Sequence, residues 1–149
     1  MQKYYKAVKT TILSLVTLIC ISCSLQDSPR GYVDPKLQPF LDEFKREAML
    51  RGINFETSFS IHFGNLKEKG VRALTVYSSH EIIIDSTCTD YRPFILLCHE
   101  LGHTMGRVHD DSIIIINGKE CVKSIMSTGY VVTFDENRKY YLDELFSKQ

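Results

Sequence analysis

Residues 99 to 110, HELGHTMGRVHD, constrain the fold more than any other stretch of this chain. They gather three of its five histidines around a glutamate and a glycine. A helix turns about 100° and rises about 1.5 Å per residue. His99 and His103 therefore share one helical face, roughly 6 Å apart along the axis, and Glu100 projects to the side. In a continued helix His109 would point about 120° away from His103 and lie roughly 9 Å along the axis. To bring it back, the chain must break between them. Gly106 is where a break costs least, because glycine takes positive φ freely. The stretch reads as helix, stop and return.

Three neutral imidazoles suit Zn²⁺ and leave its fourth position for water, the open arrangement of a catalytic site. A closed structural site more often has four protein ligands, usually with cysteines among them. Zinc lowers the pKa of its bound water, and Glu100 is placed to take the proton as general base. The plain alternative is a helix carrying capped or core histidines. Five fixed positions would match by chance on the order of 10⁻⁵ per chain, which weighs against it.

Around this stretch the pattern of apolar residues predicts an α+β domain. Asp34-Pro35 is a helix-start signal, followed by Leu37, Phe40, Leu41, Phe44 and Ala48 at helical spacing and by Gly52 as a stop. The segments 58–63, 71–77 and 80–86 are rich in strand formers and predict one small antiparallel or mixed sheet. The active-site helix follows from Pro93, with Phe94, Leu97 and Leu101 on its apolar face. Residues 112–122 read as a hairpin around Asn117-Gly118. A last amphipathic helix over 136–148 buries Tyr141, Leu142, Leu145 and Phe146. The expected architecture is a small sheet packed with an N-terminal, an active-site and a C-terminal helix, as one domain over residues 35–149.

The first residues belong to a different class. Lys3, Lys6 and Lys9 are the only charged groups before Cys23, so the remainder carries 15 basic and 18 acidic groups, a net charge of −3. That balance gives no reason to expect nucleic acid as a partner. Residues 1–22, lysine-bearing and then apolar from Ile12 to Ile21, have the form of an export signal too short to span a bilayer. The ending CISC resembles the bacterial lipoprotein box. That resemblance implies cleavage before a lipidated Cys23, residues 23–34 as a tether or short leading strand, and anchoring at a membrane. Ser24 after Cys23 implies the outer membrane where a cell has two, and otherwise a cell-surface or periplasm-facing lipoprotein. A plain cleaved signal and an uncleaved anchor are the alternatives. Export admits a disulfide, with Cys88 and Cys121 the best-placed pair, whereas Cys98 beside His99 reads as a buried inert thiol.

HELGHTMGRVH resembles the metzincin zinc-peptidase pattern HExxHxxGxxH at every fixed position, and KSIMSTGY resembles that family's methionine turn. The resemblance implies a cut-down metzincin domain with His99, His103 and His109 as zinc ligands, Glu100 as base and Met126 beneath the metal. It implies a zinc metallopeptidase that acts on peptide or protein substrates. Asp110 resembles the aspartate with which one branch secures the site from behind. Some relatives carry a tyrosine two residues after the methionine; here Thr128 stands there and Tyr130 follows. Tyr130 is thus a candidate transition-state donor, with a packing role as the alternative. A substrate strand is expected to pair with a sheet edge at residues 80 to 85. Arg107 is a candidate to clamp a carboxylate or hold the bend, and Asp85 and Asp90 to orient a ligand histidine. His62 and His80 read as structural. The second function class is a catalytically silent zinc-binding lipoprotein that serves as an interaction module; a third is zinc hydrolysis of a non-peptide amide.

Overall fold

The computed structural model describes residues 31–87, 92–129 and 131–147. Cys23, where a lipid anchor is expected, lies outside the described residues, as do Cys88, Asp90 and Tyr130. The element order is α1 (Gln38–Leu50), β1 (Ser60–Gly64), β2 (Ala73–Val76), β3 (Glu81–Asp85), α2 (Pro93–Thr104), β4 (Ile113–Ile116), β5 (Lys119–Val122) and α3 (Arg138–Leu145). This is the mixed α+β chain that the periodicities predict.

The helix α1 begins later than Asp34-Pro35 suggests. Asp34 caps a preceding turn, accepting from Lys36 N through Oδ1 at 2.8 Å and from Leu37 N through its carbonyl at 2.8 Å. Pro39, in the first helical turn, is the better start signal, because the missing N–H is not needed there. Leu41, Phe44 and Ala48 are buried along one stripe, and Gly52 at φ +75° ends the helix.

In the main sheet the strand order is β1-β3-β2. β1 runs parallel and β2 antiparallel to the central β3, which settles the sheet as mixed. Ile61, Ile82 and Ile84 are buried on its inner face. On the outer side of β1, Val33 bridges to Ile61, with Ile61 N donating to Tyr32 O and Asp34 N to Ile61 O. Residues 80 to 85 are therefore not an edge, contrary to expectation. β3 pairs with a parallel β1 on one side and an antiparallel β2 on the other, and among the described residues β2 is the open edge.

α2 is apolar almost all round, with Phe94 through Cys98 and Leu101 buried, as suits a helix between sheet and C-terminal segment. β4 and β5 form a separate hairpin, turned by Asn117 (φ +52°) and Gly118 (φ +77°). Tyr141, Leu142 and Leu145 of α3 and Phe146 at its C-cap close the core. Burial pushes the Cys98 thiol well above its ordinary pKa, so it is inert. Cys121 is buried with a free thiol. Among the described residues no helix is long and apolar enough to cross a membrane.

Candidate metal centre

The break at Gly106 takes the form the spacing requires. With Gly106 at φ +85°, Gly106 N donates to His103 O and Arg107 N to Gly102 O, both at 3.0 Å. These two bonds close α2 as a Schellman motif, which needs a left-handed residue after the cap. The chain then doubles back and brings His109 to the other two histidines. Nε2 of His109 lies 3.2 Å from Nε2 of His99 and 3.2 Å from Nε2 of His103.

The remaining ring nitrogens fix the tautomers. His99 Nδ1 faces Ile125 O at 3.0 Å and His103 Nδ1 faces Arg107 O at 3.0 Å. A carbonyl only accepts, so each Nδ1 carries the proton and each Nε2 presents a lone pair. His109 can donate one proton through Nε2, to one of them. At least one pair of nitrogens therefore meets with no proton between, an arrangement a cation resolves. Two nitrogens about 2.0–2.1 Å from one tetrahedral zinc are roughly 3.3 Å apart, close to the spacing here. The donor set fits zinc. Burial lowers the His99 pKa from 6.5 to about 4, partly opposed by the Ile125 bond and helped by His103 and His109, which keeps the ring in the neutral form that a metal could use.

Glu100 is 5% exposed. Its Oε2 accepts from Thr75 Oγ1 of β2 at 2.7 Å. Burial raises its pKa, and the Thr75 bond and His103 partly oppose that rise. Glu100, the three histidines and the β2 residues Ala73, Leu74 and Thr75 line one cleft of about 450 Å³, whose far wall is Ile125, Ser127 to Gly129 and Val131.

Met126 is 2% exposed and packs against α2 at Gly102. Its turn is closed by Ser127 N to Ser124 O at 3.2 Å and by Met126 N to Ser124 Oγ at 3.0 Å. Ile125 O holds His99, and Met126 O accepts from Asp110 N at 3.2 Å. The turn is thus stapled to the chain at the first and third histidines. A Cβ added to Gly102 would sit 2.4 Å from Met126 Sδ, so the thioether packs where α2 has no side chain.

Other residues take different roles from those expected. Asp110 does not back the site: its carboxylate pairs with Lys123 Nζ at 2.8 Å and accepts from Ser112 N at 3.0 Å. Those bonds hold it well below the usual carboxylate pKa and turn it toward β5. Asp111 braces the cleft wall instead, accepting from Ser127 Oγ, Thr128 N and Thr128 Oγ1 at 2.7–2.9 Å. Arg107 clamps no carboxylate. Its guanidinium donates to the carbonyls of Glu144, Leu145 and Ser147, capping α3 and pinning the bend to it. Asp85 accepts from Thr87, and the oriented histidines use backbone carbonyls rather than an aspartate. His62 and His80 lie in and beside the sheet, outside the triad. Thr75 and Asp111 carry no sequence signal of their own: a threonine in a strand and the second of two aspartates are common surroundings.

Compared with protein families, curated proteins and solved structures, the chain matches none.

Proposed function

We propose that the protein is a zinc-dependent peptidase with a reduced metzincin-like domain. The convergence of three Nε2 atoms, two of them with their opposite nitrogens tied to the main chain, carries this reading. Bound there, zinc supplies Lewis acidity at a substrate carbonyl and lowers the pKa of an attacking water. His99, His103 and His109 would hold the ion. Glu100 would take the water proton on its carboxylate and pass it to the leaving amine. Its raised pKa brings it nearer the working pH of a group that must both accept and return a proton.

The peptide is expected on β2, the open antiparallel edge that borders the cleft, so the expectation for residues 80 to 85 moves one strand outward. A silent zinc-binding module needs no carboxylate buried beside its ligands, and burying one is costly unless it has a use. The lipid anchor at Cys23 belongs to the same proposal and rests on the signal-like start of the chain.

The test is a paired assay of wild type and Glu100→Gln, beginning at Ser24, for zinc by elemental analysis and for cleavage of a mixed peptide library. One zinc in each and cleavage by wild type alone supports the peptidase and its base. Metal in both and cleavage by neither supports the silent module. A Glu100→Gln protein that still cleaves removes Glu100 as base.

A further inference from the structure

The strand that forms the open edge also reaches into the cleft. Thr75 Oγ1 donates to Glu100 Oε2 at 2.7 Å and lies 3.3 Å from the Glu100 carbonyl. A hydroxyl has one proton, and the shorter contact to the carboxylate is the stronger claim on it. Two residues on, Tyr77 OH donates to His103 O at 2.7 Å. Tyr77 lies just past the end of β2, so the strand and the turn that follows it are fastened to α2 at the glutamate and again at a histidine.

The two side chains in the first bond differ in freedom. Glu100 has three rotatable side-chain bonds, which the helix alone does not fix. Thr75 is β-branched, has one χ angle and is stiff about it. A valine would fill the same half-buried strand position without placing a hydroxyl that then needs a partner.

We propose that Thr75 is a positioning residue for Glu100, its hydroxyl holding the carboxylate at the histidine cluster and tying it to the strand on which a substrate would lie. The proposal rests on Glu100 as general base. The bond engages one lone pair of Oε2 and leaves Oε1 with both of its own. The edge strand then has two tasks, one through its main chain and one through this hydroxyl.

The test uses the purified full chain in detergent, loaded with Co²⁺ so that ligand binding is read by visible absorption. Thr75→Val removes the donor at nearly constant volume; Thr75→Ser keeps it. The probe is acetohydroxamic acid, a bidentate metal ligand that gives up its hydroxyl proton to a carboxylate set beside the metal. Thr75→Val is expected to bind one Co²⁺ and to weaken hydroxamate binding about tenfold or more, the order expected for a lost hydrogen bond to a charged group. Thr75→Ser is expected within about threefold of wild type. In peptide cleavage, kcat is expected to fall about tenfold in the valine variant with KM within twofold. Should the valine variant fail to take up cobalt, Thr75→Ala replaces it under the same criteria. Valine equal to wild type in hydroxamate binding, or serine as weak as valine, overturns the proposal. A wild type that binds hydroxamate but cleaves no peptide overturns the peptidase reading, and the hydroxamate comparison still decides Thr75.

Discussion

Gly102→Ala should destabilise this protein, although alanine is the better helix former. Gly102 is inside α2, where replacing glycine by alanine on an exposed face would gain about 1 kcal/mol. Here the new methyl would sit 2.4 Å from Met126 Sδ and 3.2 Å from both Met126 Cε and Leu145 Cδ1. Methionine is flexible, but this one is 2% exposed and Leu145 is 1% exposed, so the thioether has little room to move into. A contact of 2.4 Å puts this overpacking in the upper part of the usual range, about 2–3 kcal/mol, which leaves a net loss of roughly 1–2 kcal/mol after the helix gain. In a domain of this size that is a fall of several degrees in Tm, measured by circular dichroism without metal. Adding Met126→Ala should reverse the sign, since the methyl then enters space the thioether left. A Gly102→Ala protein that melts at or above wild type, or no reversal in the double variant, refutes the contact.

Two further predictions concern acid and the C-terminal helix. Because burial lowers the His99 pKa to about 4, the folded metal-free chain binds fewer protons than the unfolded chain between about pH 4 and 6.5. Stability is then full above about pH 6.5 and falls toward pH 4 by at most about 3 kcal/mol. Glu100, with its pKa raised by burial, acts in the opposite sense, so Glu100→Gln should fall more steeply. Urea unfolding in EDTA near pH 7, 5.5 and 4.5 checks both, and equal slopes would count against the glutamate's part. Arg107→Met leaves the carbonyls of Glu144, Leu145 and Ser147 without their cap and should cost about 2 kcal/mol by the same urea assay.

The histidine cluster was legible because its geometry is local: two histidines on one helical face, a glycine to stop the helix and a third histidine within reach of the return. The hairpin at Asn117-Gly118 was legible for the same reason, since two left-handed residues in sequence leave few conformations. Which strand is the open edge was not. Strand composition does not encode neighbour order, and Ile82 and Ile84 would be apolar in either place. The brace from Asp111 to Ser127 and Thr128 and the reach of Arg107 to α3 join residues 16 to 40 positions apart. Such pairings follow from the packed fold and leave no periodicity. Asp110 misled because adjacency in sequence says little about which of two neighbouring carboxylates faces a site.

His99 and His103 are both oriented by main-chain carbonyls, those of Ile125 and Arg107. An orienting carboxylate can be deleted by one codon change, but a carbonyl is present whatever residue stands at its position. The tautomers of these two rings are therefore buffered against point substitution at their partners. A sequence can drift at 107 and 125 without losing them, provided the backbone keeps its path. The vulnerability moves to the positions that shape that path, Gly106 and the turn around Met126. Substitutions at 107 and 125 would then be felt through the cap and the packing that those side chains supply, and substitutions at the bends through the histidines themselves.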